Sequence, residues 1–160
     1  TITSMLFLGM IIGPILVDFL SDKIYSRKIP MVLGATLTLL VIISIILLHS
    51  NNFYLFLLLF LLLGITSSSQ ILGYTLVAEC NSIQSIGIST SLISILVMLG
   101  GATFQPLFGF ILDAATPENL QQLNQYSPHA FTIALLLIPV MVFISLLLLP
   151  LIKKNLIKEV

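Results

Sequence analysis

The chain reads as all-α: a polytopic bundle of five transmembrane helices. Three observations carry that reading. Of its 160 residues, 58% are hydrophobic and only 8% charged, against about 25% charged in soluble domains. The six Lys/Arg and six Asp/Glu sit in short clusters separated by long charge-free runs. Leu55–Leu63 is continuously apolar, which the two-residue alternation of a membrane β-barrel does not allow. At a mean hydropathy of +1.19, too few polar side chains remain to cover a water-soluble globule. Disorder is excluded on the same ground, and nucleic-acid binding because no basic stripe exists.

The elements follow from the charge-free runs. A hydrocarbon core takes roughly 20 helical residues to cross. The first span covers about 2–20. Ile29–Ala78 carries no charge and is long enough for two spans, about 30–48 and 53–78. His49-Ser50-Asn51-Asn52 marks the turn between them. The fourth span is about 86–112, long enough to tilt, and the fifth about 130–152. Helices are required because lipid leaves no water for unpaired backbone groups. Pro30 suits a first helical turn, where its missing N–H costs nothing. The first span lacks the basic leader of a signal peptide. With no Met at position 1, the chain reads as a piece whose earlier helices lie upstream.

Cation placement orients the bundle. Lys23, Arg27 and Lys28 lie in the first loop, and Lys153, Lys154 and Lys158 in the tail. With five spans both places are on one side, which the positive-inside rule makes cytoplasmic. The C-terminus is then cytoplasmic and the 113–129 loop external. A multi-pass protein of a bacterial inner membrane is expected.

The stretch Gly13-Pro14-Ile15-Leu16-Val17-Asp18-Phe19-Leu20-Ser21-Asp22-Lys23-Ile24-Tyr25-Ser26-Arg27-Lys28 resembles motif A of the major facilitator superfamily, G-x4-D-R/K-x-G-x-R/K-R/K. Asp22-Lys23 and Arg27-Lys28 match. Val17 and Tyr25 stand where the glycines are expected. In a second register Gly13 and Asp18 keep the glycine-to-acid spacing, with Phe19 replacing the base. Gly100-Gly101-Ala102-Thr103-Phe104-Gln105-Pro106 through Asp113 is similar to the eleventh helix of many bacterial members. The resemblance implies helices 8–12 of a twelve-helix carrier. A 2–6 register has the same sidedness, but the Gly-Gly…Gln-Pro stretch and the end at Val160 favour the C-terminal half.

By resemblance, Asp22, Lys23, Arg27 and Lys28 form a cytoplasmic gate. Physically, Asp22 begins a short turn, and its carboxylate can pair with Arg27. Glu79, at the same membrane edge, is the natural partner for Arg27 or Lys28. For Lys23 and Lys28 the reading as simple topology anchors is preferred. Glu79 stands open between latch partner and solvated interface residue.

Polar residues inside the spans supply the candidate substrate cavity. Ser67, Gln70 and Tyr74 follow i, i+3, i+7 and share one helical face, expected to look inward. Thr66, Ser68 and Ser69 interrupt the same helix, and packing is the preferred role for Ser67–Ser69. In the fourth span Ser91, Ser94, Met98, Gly101 and Gln105 form a stripe. Gly100 and Gly101 allow close helix approach, and Pro106 can kink the helix. Gln105 is expected to pair with the carbonyl Pro106 frees in preference to a solute. Gly9 and Gly13 give small-xxx-small packing, with a bend at Pro14. Asp18 reads as interfacial, His49 and His129 as solvated, and Asp113 as a cap.

The expected function is secondary active transport of a small polar solute by alternating access, as symport or uniport. The resemblance points to amino acids or short peptides. The implied partners are a small-molecule substrate, the lipid bilayer and the missing N-terminal half of the same transporter. Nucleic acid, cofactor and metal are not called for: the single Cys80 has no His beside it, and no catalytic cluster exists for a membrane enzyme. The competing reading is a non-transporting assembly subunit or a degraded pseudotransporter.

Overall fold

The computed structural model describes residues 2–48, 52–116 and 126–151. The 49–51 turn with His49, and the tail with Lys153, Lys154 and Lys158, lie outside the described residues. The described residues are almost wholly helical, and five helical stretches are long and apolar enough to cross a membrane. The expected fold class holds, with several boundaries moved.

The first span is helix α1, Ile2–Ile24, unbroken through Pro14. It therefore runs past position 20 and takes in Asp22 and Lys23, which are the last helical turn and not loop residues. The joint to α2, Lys28–Leu47, is only three residues long. Its geometry is a Schellman stop. Ser26 N–H donates to the Ser21 carbonyl (3.4 Å) and Tyr25 N–H to that of Asp22 (3.3 Å). Tyr25 takes the left-handed backbone such a stop requires, at φ 52°. Glycine adopts that conformation without penalty, and any other L-residue pays about 1 kcal/mol or more.

The third span is not one continuous helix. Helix α3, Phe53–Ser67, gives way to a 3-10 turn at Ser68–Ile71 before α4, Leu72–Cys80. The hydroxyls explain the change. Thr66 Oγ1 donates to the Leu62 carbonyl (3.0 Å), and Ser68 Oγ to that of Gly64 (2.8 Å). Ser67 Oγ also donates to the Gly64 carbonyl (3.2 Å). Such bonds compete with the backbone ladder and bend helices. At the start of α3, the Asn52 side chain accepts from Tyr54 N–H.

Helix α5, Ile86–Ala114, is continuous through Pro106. The last span divides into α6, Pro128–Leu135, and α7, Leu137–Leu148, with a 3-10 turn at Leu149–Leu151. The break at Leu136 falls where Pro139 has no N–H to return to the Leu135 carbonyl. Ser127 caps α6 by accepting from His129 N–H (3.2 Å).

Packing is uneven. Helices α1 and α3 lie together, α2 packs on α3 and α7, and α5 meets α4 at one end and α6 at the other. The α1–α3 approach is made by glycine. A Cβ on Gly9 would stand 2.9 Å from the Gly64 Cα, and one on Gly13 2.7 Å from the Ser68 Cβ. Gly34 on α2 faces Ser69 in the same way. The pairs 9/64 and 13/68 advance together, so α1 and α3 run parallel. The α5–α6 contact is a small cluster of Leu112, Ala130 and Ala134. Most large apolar side chains elsewhere are exposed, as expected where lipid is the solvent.

Candidate functional site

Two places gather polar side chains: the charged end, where α1, α2 and α4 meet, and the seam between α1 and the 3-10 turn.

At the charged end Arg27 is the hub. Nη1 donates to Asp22 Oδ1 at 2.7 Å and to Ser21 Oγ at 3.0 Å. Nε and Nη2 both donate to Glu79 Oε1, at 3.1 and 2.9 Å. One guanidinium thus ties the end of α1 to the end of α4, across 52 residues of sequence. The Arg27 side chain is 20% exposed, Glu79 35% and Asp22 70%. The hydrogen bond that Arg27 donates to Glu79 is the main cause that holds the guanidinium above its ordinary range; burial opposes it and Asp22 adds to it. Ser21 is buried and its hydroxyl donates a hydrogen bond to the Ser26 carbonyl, so Arg27 also rests on the helix stop itself.

The structure brings Asp22, Arg27 and Glu79 together and separates the two lysines from them. Lys23 is exposed. Lys28 Nζ donates to the Pro150 carbonyl at 3.0 Å, tying the start of α2 to the end of the last span. Ser21 and Pro150 were not legible as contributors. Ser21 could have been found as the residue whose carbonyl a helix stop at Tyr25 must occupy.

The candidate cavity residues are not gathered. Around the 3-10 turn the buried residues are Ser68, Ser69 and Leu72, and not Ser67, Gln70 or Tyr74. A 3-10 turn has three residues per turn, so the helical spacing used to group those three does not continue through it. Ser67 is half-buried with its hydroxyl on the Gly64 carbonyl, and Tyr74 is half-buried. Gln70 is exposed and borders a pocket of about 140 Å³ with Met10, Pro14, Ser68 and Ile71.

On α5, Ser94 Oγ returns to the Thr90 carbonyl at 3.1 Å. Gln105 borders a larger open groove, about 570 Å³, between α5 and α7. Its other walls are Phe104, Phe108, Leu137, Ile138, Met141 and Val142. Gln105 makes no hydrogen bond with the described residues, so it does not take up the carbonyl freed by Pro106. A Cβ on Gly100 or Gly101 would meet nothing within 4 Å; the close approach expected there is absent among the described residues.

Asp18 lies within α1, which continues to Ile24, one helical turn before Asp22. It is half-buried and forms no hydrogen bond or ion pair with the described residues. Asp113 accepts from Tyr126 Oη at 3.1 Å; this bond is the main cause that raises the Tyr126 phenol above its ordinary range.

Residues 1–158 match the family model described as Major Facilitator Superfamily. No curated protein and no solved structure matches the chain.

Proposed function

This chain belongs to the Major Facilitator Superfamily, a family of membrane transporters, and we propose that it serves secondary active transport of a small polar solute by alternating access. In this reading its five spans are helices 8–12 of a twelve-helix carrier in a bacterial inner membrane. The missing N-terminal half supplies the other wall of the cavity, and the charged end faces the cytoplasm.

The observation that carries the proposal is the Arg27 hub. A carrier that rocks between two shapes needs contacts that hold in one shape and open in the other. The bonds from Arg27 to Asp22 and Glu79 suit that task. They are charge-assisted, hence strong and directional, yet partly exposed, hence cheap to break and resolvate. Lys28 holds the last span to α2 and need not open. Lys23 serves as a topology anchor.

The test uses the complete carrier in proteoliposomes. Asp22→Asn and Glu79→Gln each remove one latch contact. The expected outcome is a change in uptake rate of about tenfold, with normal insertion and expression, the scale of one charge-assisted bond. Unchanged uptake in both variants would remove the latch role. Thiol labelling that places Arg27 outside the cell would overturn the orientation.

A further inference from the structure

The last span leaves its neighbour partway along. Helix α6 packs on α5 through Leu112, Ala130 and Ala134. The span then breaks at Leu136, and α7 packs mainly on α2. Helices α5 and α7 therefore part like the arms of a wedge, and the open groove of about 570 Å³ lies between them. The routing of the chain creates it.

Beyond the contact at Leu112, α5 presents Phe108 and then Gln105 and Phe104 to the groove. Phe104 and Phe108 are one turn apart and share a side. Helix α7 faces them with Met141 and aliphatic side chains. Walls of this kind select a ring. Aromatic rings pack edge-to-face or offset on one another, and a thioether sulfur sits well at a ring edge. The volume falls within the range of about 300–1,000 Å³ that small-molecule pockets occupy. None of the described lining side chains is charged, so a charged guest would give up its hydration for no partner.

Gln105 supplies the polar group. It lies about 8 Å from the midpoint of the 29-residue helix α5, at 1.5 Å per residue, and so inside a hydrocarbon core about 30 Å thick. It makes no hydrogen bond with the described residues. A carboxamide in hydrocarbon is costly until something pairs with it, and it offers donor and acceptor together. This decides among occupants. An acyl chain fits the walls but brings no polar group to that depth. A helix about 10 Å across would fill the volume with little more than one turn, too short a seat for a membrane-crossing segment. A compact molecule with a ring and one amide or hydroxyl meets both demands.

We infer that the α5–α7 groove is a binding site for a neutral, lipophilic aromatic molecule. Its ring packs on Phe104, Phe108 and Met141, and its one amide or hydroxyl pairs with Gln105. The site is separate from the Arg27 hub, and its occupancy does not depend on whether the guest is transported.

The test uses the complete carrier in lipid nanodiscs and three photoreactive benzophenones of one shape, bearing a para-carboxamide, a para-methyl or a para-carboxylate group. Illumination inserts the ketone carbon into a nearby C–H bond, and peptide mass spectrometry reads where. The carboxamide is expected to label segments 104–108 and 137–142 above every other segment. It should do so at a concentration about tenfold below the methyl probe, the upper scale of one neutral hydrogen bond. The carboxylate should label them least. Gln105→Leu keeps the span apolar and should bring the carboxamide to the methyl level; unchanged labelling by the methyl probe shows that the variant has kept its fold. Phe108→Leu should weaken both probes severalfold. Methyl labelling as strong as carboxamide labelling would make the groove a berth for lipid chains and overturn the inference. Labelling spread evenly over other lipid-facing helices, or absent from the groove, overturns it too. So does a Gln105→Leu protein that keeps the carboxamide preference.

Discussion

The first three spans and the last two are built from the same apolar alphabet, yet they pack differently. In the α1–α4 region Gly9, Gly13, Gly34 and Gly64 each meet backbone or a serine at distances that leave no room for a methyl group. In the α5–α7 region Gly100, Gly101 and Gly109 meet nothing, and an open groove separates α5 from α7. Lipid is as apolar as leucine, so burying leucine against leucine gains little there. Close backbone approach and interhelical polar contacts must do the holding. Glycine permits that approach but does not name the partner.

The largest expected effect tests this contrast. Gly9→Ala and Gly64→Ala push a methyl into the facing backbone and should each cost about 3 kcal/mol, the upper range for overpacking. Gly101→Ala should be neutral or stabilising by up to about 1 kcal/mol, the helix-propensity gain over glycine. Unfolding titrations in mixed micelles measure all three. A large loss at Gly101 in the complete carrier would place an unseen helix against α5 and turn the contrast into one of partners.

Next in size is Arg27→Ala, which strands Asp22 and Glu79 and removes the α1–α4 tie. A loss of about 2 kcal/mol is expected, the scale of two charge-assisted bonds that are partly solvated. Thermal unfolding of the variant beside Arg27→Lys reads it; Lys restores charge but not the forked geometry, and should recover less than half.

Tyr25→Gly should go the other way. Tyr25 is 91% exposed and has little packing to lose among the described residues, while the left-handed backbone at φ 52° favours glycine. A gain of about 1 kcal/mol is expected, read as a rise in melting temperature. A loss would mean the Tyr25 ring has a partner outside the described residues.

The smallest effect lies at the other end, in the Tyr126–Asp113 bond. The raised phenol of Tyr126 contributes stability that is complete below the ordinary phenol range. It fades as pH climbs through the raised value. Melting temperature against pH should fall on that alkaline limb in the parent protein, and Tyr126→Phe should lack that part of the fall.

Much of the chain was legible beforehand, and the errors have local causes. The five spans follow from charge-free length, and the pairing of Arg27 with Asp22 from the short turn between them; Glu79 stood open between Arg27, Lys28 and water. The 3-10 turn was not legible, although Thr66-Ser67-Ser68-Ser69 announced hydroxyl competition with the ladder. That miss carried the grouping of Ser67, Gln70 and Tyr74 with it. The first span was ended near position 20, where its charges begin, but the helix runs on to Ile24. Charged residues close a hydrophobic run but continue a helix readily.

Composition and charge order alone determined that this is a multi-pass helical membrane protein, because desolvating a backbone or a charge in lipid costs more than any packing detail can return. Tertiary structure decided which small residues touch, where the helix between Ser68 and Ile71 tightens, and that Pro14 faces it. Those depend on contacts of one helix with another at ångström distances, and a list of residues along one chain does not contain them.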